Sequence, residues 1–138
     1  MKYVIASDIH GSAYYCRLLK TRYEEEHAQK LLLLGDLLYH GARNALPAEY
    51  STLETAAILN PMKENILCVR GNCDSDVDTM VLEFPITAAF ALLPVGDRTL
   101  VLTHGHNQYA VLKEGDVLVN GHFHVSAFER RGAYTYVN

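Results

Sequence analysis

Short apolar runs alternate with polar, glycine-bearing breaks along this chain, and five of the runs end directly at an acid, an amide or an imidazole. Lys2-Tyr-Val-Ile-Ala-Ser7 leads into Asp8-Ile-His10, and Lys30-Leu-Leu-Leu-Leu-Gly35 leads into Asp36. Asn65-Ile-Leu-Cys-Val-Arg-Gly71 leads into Asn72, and Arg98-Thr-Leu-Val-Leu-Thr103 into His104. Asp116-Val-Leu-Val-Asn-Gly121 leads into His122-Phe-His124. Apolar runs of this length, bounded by turn residues, read as buried strands. In open α/β sheets, ligands collect just past the carboxyl ends of strands. The pattern therefore predicts five strands that bring Asp8, His10, Asp36, Asn72, His104, His122 and His124 to one rim.

Between the first strands the pattern turns helical. Ser12 is a fitting N-cap for a helix over residues 13–29, with Tyr15, Leu18, Leu19 and Tyr23 as its inward stripe. Ser51-Thr-Leu-Glu54 has the form of a capping box, and Asn60-Pro61 stops the helix it opens. Strand, helix, strand, helix, strand in succession implies parallel pairing. Downstream, residues 86–95, 98–103, 116–120, 125–130 and 133–137 are strand-like, with hairpin turns expected at Gly96-Asp97 and Arg131-Gly132. The expectation is one α/β domain across residues 1–138, layered helix, sheet, sheet, helix. Either further residues follow in the natural protein, or the last strand, Tyr134-Thr-Tyr-Val137, leaves a sheet edge unpaired, which a homo-oligomer or partner is expected to cover.

Composition narrows the class. The 138 residues are 49% apolar and 20% charged, an ordinary globular balance for one core. No run approaches the roughly 20 apolar residues of a membrane span. A net charge of -4 argues against a long nucleic-acid footprint, which needs clustered Lys and Arg. The three cysteines, Cys16, Cys68 and Cys73, lack C-x-x-C spacing, and the first residues lack a signal-peptide pattern. Reduced thiols in a cytoplasmic protein are the expectation.

The chemistry lies in the breaks. Asp8-x-His10, read as extended backbone, turns both side chains to one side, where they can reach one ion; the plainer reading has Asp8 capping a helix. Gly35-Asp36 is either a turn or a carboxylate bridging two metals about 3.5–4 Å apart. Asn72 offers an amide oxygen to a cation, or marks another turn. Thr103-His-Gly-His106 and Gly121-His-Phe-His124 hold four of the seven histidines at strand ends, a spacing suited to metal binding. His27 and His40 read as ordinary surface histidines. Arg43, in the loop after Asp36, could touch a phosphate, although a plain surface loop is the simpler reading. Cys73 precedes Asp74, Asp76 and Asp78, whose charges raise a thiol pKa, so covalent cysteine catalysis is rejected. Neither a phosphate-binding G-x-x-x-x-G-K-[ST] loop nor a G-x-G-x-x-G after a strand is present.

In order, Asp8-x-His10, Gly35-Asp36, Gly71-Asn72, His104 and Gly121-His-x-His124 resemble the signature of the calcineurin-like metallophosphoesterase superfamily. Arg70-Gly-Asn-Cys-Asp74 and the small size further resemble its small bacterial phosphodiesterase branch, and the likeness runs over residues 1–138. The resemblance implies a β-sandwich flanked by helices. It places Asp8, His10, Asp36 and His124 on one divalent metal and Asp36, Asn72, His104 and His122 on a second. Manganese is the expected metal, with zinc, iron and magnesium as alternatives. The implied activity is hydrolysis of a small phosphoric ester, a diester before a monoester, by a water activated between the two metals, with His106 stabilising charge on the phosphoryl oxygens. The alternative is a catalytically weak scaffold of the same fold that binds protein partners. A nuclease is disfavoured by the acidic charge and the small size. Two departures stand out. Cys73 occupies the position where many active members carry a histidine general acid, and the sequence stops at Asn138, where relatives continue into further strands.

Overall fold

The first three apolar runs pair side by side as β1 (Tyr3–Ala6), β2 (Lys30–Leu33) and β3 (Ile66–Cys68), all parallel, with β2 in the centre. Parallel neighbours need a long crossover, and helices α1 (Ala13–Glu25) and α2 (Thr52–Leu59) lie in those connections. The computed structural model describes residues 1–107 and 112–138.

β2 shows why a four-leucine run sits here. Successive strand side chains point to opposite faces. Leu31 and Leu33 pack with Cys16, Ala56, Leu59 and Met62 of the helical side. Leu32 and Leu34 pack with Val69, Leu102 and Val119, between the two sheets. Both faces are covered, so the run is continuously apolar instead of alternating.

The second sheet consists of β4 (Phe90–Val95), β5 (Arg98–Thr103), β6 (Val117–Val119), β7 (Phe128–Arg131) and β8 (Tyr134–Val137), in the spatial order β4-β5-β6-β8-β7. β5, β6 and β8 are parallel, while β4 and β7 each turn back antiparallel on a hairpin neighbour. The mixed α/β class, with two stacked sheets and helices, is the one expected. Among the described residues, α1 and α2 both lie on the first sheet's helical side.

Several local expectations are corrected. α1 stops at Glu25, and its inward line is Cys16, Leu19 and Tyr23; Tyr15 and Leu18 are 58% and 50% exposed. The spacing of three and then four keeps those inward residues on one helical face, and the small Cys16 meets α2, its Sγ 3.9 Å from the Thr55 carbonyl. Ser12 does cap α1, accepting from Tyr15 N at 3.2 Å. Ser51 likewise accepts from Glu54 N, but the Glu54 side chain pairs with Arg17, so only half of the capping box forms. Ile86 lies outside any strand and is buried with the helical core. The last hairpin turns at Gly132-Ala133, one residue later than read.

The sheet edge expected beside the last strand is not there. β8 pairs with β6 on one side and β7 on the other. On that side of the sheet the edge strand is β7, all four of whose residues are exposed, and β4 forms the opposite edge.

Candidate metal centre

β1 ends at Ala6 and β2 at Leu33, so the chemistry-bearing residues lie in the turns that follow the strands. Five of them hold left-handed backbone: Asp8 (φ 56°), His10 (49°), Asp36 (55°), His122 (71°) and His124 (54°). The extended reading of Asp8-x-His10 is thus corrected. The two side chains converge because the backbone coils tightly, which Asp and His tolerate better than most residues. Each such conformation costs on the order of 1–3 kcal/mol and persists only where the surroundings enforce it. Here the loops enforce each other: Asp8 N donates to Gly35 O at 3.0 Å, and His10 N to Asp36 O at 2.9 Å.

Two glycines permit the approach. Gly35 has φ +94°, and a Cβ there would meet Gly71 backbone. A Cβ on Gly121 would overlap Ser7 Oγ and the Asp8 carboxylate.

The side chains gather as Asp8, His10 and His124; His10, Asp36 and Cys73; and Asp36, His104 and His122, with the ligand atoms of each group within 4.8 Å of one another. Second contacts fix the rings. His10 Nδ1–H donates to Tyr39 O at 2.8 Å, and His104 Nδ1–H to Leu34 O at 2.7 Å. In each neutral ring this leaves Nε2 as a bare acceptor. His104 Nε2 then faces Asn72 Oδ1 at 2.9 Å and Asp36 Oδ2 at 3.2 Å. His10 Nε2 is buried, lies 3.4 Å from Asp8 Oδ1 without hydrogen-bond alignment, and has no partner among the described residues. His124 Nε2 is 3.0 Å from Asp8 Oδ1. Acceptors facing acceptors in a buried site need a proton or a cation between them. The protein as it stands answers with protons. Contact with Asp8 above all raises the His10 pKa. For His104 burial acts downward most strongly, but Asp36 reverses it and the pKa lies above the usual value. Burial likewise pushes Asp8 and Asp36 up, yet the His10 contact on Asp8 and the His104 contact on Asp36, with backbone N–H donors, hold both carboxyls low. Carboxylate, imidazole and amide oxygen donors of this kind suit a divalent metal.

All seven ligands expected from the sequence therefore stand along one rim. His106 stands beside them: its ring centroid is 5.4 Å from that of His104, and Asn107 contacts its Nε2 at 2.9 Å. Burial, and then the charge of His104, lowers its pKa. Cys73 donates its backbone N–H to Asp36 Oδ1 at 2.8 Å. Burial and then the Asp36 charge push its thiol up to about 11, so it is a neutral thiol at ordinary pH.

Sequence reasoning missed Asp74 as a site residue. It is buried, and it accepts from Gly71 N at 2.7 Å and from Asp36 N and Leu37 N at 2.9 Å each. The signal was its place two residues after Asn72. Arg43, read as part of a plain surface loop, lines a cleft of about 370 Å³ with His10, Asp36, Asn72, Cys73 and His122.

Comparison with known proteins shows the family and the fold. The family model described as the calcineurin-like phosphoesterase superfamily domain matches residues 1–138. The Escherichia coli (strain K12) protein called phosphodiesterase YfcE is 43% identical over 142 aligned positions, covering 100% of this chain and 77% of that protein. The solved structure of the E. coli phosphoesterase YfcE superposes with a TM-score of 0.97 at 42% identity, covering 100% of this chain and 78% of that one. An archaeal phosphodiesterase (TM-score 0.70, 22% identity, 100% of this chain and 82% of that one) and a Vps29 single mutant of Entamoeba histolytica (0.63, 21%, 100% of this chain and 73% of that one) share the fold. The chain belongs to the calcineurin-like phosphoesterase superfamily.

Proposed function

We propose that this chain is a phosphodiesterase that works with two divalent metal ions and hydrolyses small phosphodiesters. The observation that carries the reading is the convergence of His104 Nε2, Asn72 Oδ1 and Asp36 Oδ2, acceptors that face one another within 2.9–3.2 Å with His104 buried. Asp8, His10, Asp36 and His124 would hold one ion. Asp36, Asn72, His104 and His122 would hold the other, with Asp36 shared because a carboxylate offers two oxygens. When bound, the ions supply positive charge to phosphoryl oxygens and a water acidic enough to serve as nucleophile. Manganese is the metal we propose, with zinc, iron or magnesium as alternatives.

The chain's own groups divide the remaining work. Arg43 lines the cleft and is placed to pair with a phosphoryl oxygen. His106 donates to the same group from the His104 side. Cys73 occupies the position from which a leaving oxygen would be protonated, and as a neutral thiol it is a weak donor. Good leaving groups are therefore favoured. The diester preference is supported by the relative named a phosphodiesterase at 43% identity. The intact set of donors weighs against a scaffold without activity.

Nucleic acid is disfavoured as a partner by the net charge of -4. Among the described residues no helix is long and apolar enough to cross a membrane. We place the protein in the cytoplasm, as three free thiols suggest. We also keep a homo-oligomer, seated now on the exposed edge strand β7 rather than on β8. Hydrolysis of bis(4-nitrophenyl) phosphate and 4-nitrophenyl phosphate, with and without added manganese, tests the reading: metal-dependent turnover favouring the diester is expected, and absence of both activities would overturn it.

A further inference from the structure

Two of the spaces that border the candidate metal centre share its histidines. One is the polar cleft of about 370 Å³ that holds Arg43, Asn72 and Cys73. The other is a lobe of about 450 Å³ between α1 and the 40–47 loop, walled by Tyr15, Leu19, Ala45 and Pro47 and closed by the same His10 and His124. The two spaces share His10, Asn44 and His124, so a phosphate at the metal donors would face both. Volumes of this order suit small-molecule sites.

Their chemistry differs. The lobe's charge-bearing side chains gather at its metal end, where Asp8 meets His10 and His124 and accepts the His122 backbone N–H. Away from that end the lining has nothing to pair with a charged substituent, and its aliphatic and tyrosyl wall gains by losing water. Tyr15 is 58% exposed although it sits on a helix that packs inward elsewhere, and this lobe is the space it borders. His40 lines the same space, and its buried Nδ1 has no partner among the described residues. That nitrogen adds one polar contact beside the aliphatic and tyrosyl wall.

We propose that this lobe receives the retained organic group of a phosphodiester, an aryl or similarly apolar substituent, while the leaving group lies in the polar cleft beside Cys73. The assignment of sides rests on the phosphodiesterase reading, because Cys73, the protonating position, lines the polar cleft and is absent from the lobe. A monoester has no retained organic group and leaves the lobe in water. Tyr15, Leu19 and Ala45 are thus specificity-determining residues for diester over monoester and for aryl over alkyl.

Two esters isolate the retained group: bis(4-nitrophenyl) phosphate and methyl 4-nitrophenyl phosphate share one leaving group. Ala45 is exposed, so Ala45→Phe fills the lobe without touching the core. The ratio of kcat/KM for the bis-aryl ester over the methyl ester should fall roughly tenfold in this variant, through KM. An unchanged ratio would overturn the proposal. A second readout needs no turnover. The chain contains no tryptophan, so Tyr15→Trp places a single indole at the lobe. Diphenylphosphinate should change its fluorescence and bind at least about tenfold more tightly than dimethylphosphinate to the manganese-loaded protein. Equal affinities, or no change in fluorescence, would overturn the lobe assignment. If the unsubstituted protein hydrolyses neither ester, the phosphodiesterase reading has failed, and the phosphinate titration alone still decides what the lobe binds.

Discussion

Asp74 accepts the backbone N–H of Asp36 at 2.9 Å, so one buried acid holds the backbone from which the proposed bridging acid projects. The same carboxylate takes the N–H groups of Leu37 and Gly71, joining the turn after β2 to the turn after β3. Burial raises the Asp74 pKa, and these three donors oppose that rise. Asp74→Asn replaces one acceptor oxygen with a donor that faces an N–H. The expected cost is about 1–3 kcal/mol of stability, seen as a lower Tm, together with weaker metal affinity by calorimetry. Unchanged values for both would remove Asp74 from the positioning role.

Asp36 itself is the shared ligand of the proposal. Asp36→Asn offers one amide oxygen where two cations need two carboxylate oxygens. Turnover should fall by more than about a hundredfold, and metal content measured by mass spectrometry should drop below two ions per chain. A variant retaining two ions and near-normal turnover would show that Asp36 does not bridge.

The parts of this molecule that were legible in the sequence are those set by burial on both faces. The run Leu31–Leu34 announces a central strand because neither its 31/33 face nor its 32/34 face can be polar. The ligands could be placed at strand ends for the same reason: the apolar run has to stop where the rim meets water. The conformations at the rim were not legible. Asp8, His10, Asp36, His122 and His124 adopt left-handed backbone because loops from distant parts of the chain grip them, as Gly35 O grips Asp8 N. Local sequence carries no record of a contact 27 residues away. The exposure of Tyr15 was hidden similarly, since only the 40–47 loop shows that this helical face borders a cavity. The hairpin of β7 and β8 was legible from its turn, but the parallel pairing of β8 with β6 was not, because no local turn announces that β8 inserts between two earlier strands.

Protons and metal compete for the same Nε2 atoms. His10 and His104 have pKa values above 6.5 in the metal-free protein, the first raised chiefly by Asp8, the second by Asp36 against burial. A histidine with a raised folded pKa contributes stability that is fully present below its unfolded value and is lost as pH rises through the folded value. The metal-free protein should therefore lose Tm as pH climbs through the range above 6.5, while metal affinity rises over the same interval because protons leave the ligands. Thermal melts of chelator-treated protein at a series of pH values, paired with manganese titrations, check both directions. A Tm that rises with pH in the absence of metal would contradict the proton-bridged arrangement.

Cys73 sets the last expectation. Its thiol is pushed up to about 11, by burial first and by the Asp36 charge second, so at neutral pH it carries its proton but gives it up reluctantly. A general acid works best when its pKa lies near the operating pH. Cys73 stands well above that, and it should help a departing oxygen little. The rate of hydrolysis should then fall steeply as the leaving group becomes more basic, from nitrophenyl through phenyl to alkyl esters. Cys73→His supplies an imidazole with a pKa closer to neutrality. It should speed the alkyl and phenyl esters by roughly 10- to 100-fold while changing the nitrophenyl ester little, because a nitrophenolate leaves without a proton. The slope of log kcat against leaving-group pKa is the measurement: it should flatten in the variant. A parallel shift of the whole line would mean that residue 73 acts on the site's geometry and not on the proton.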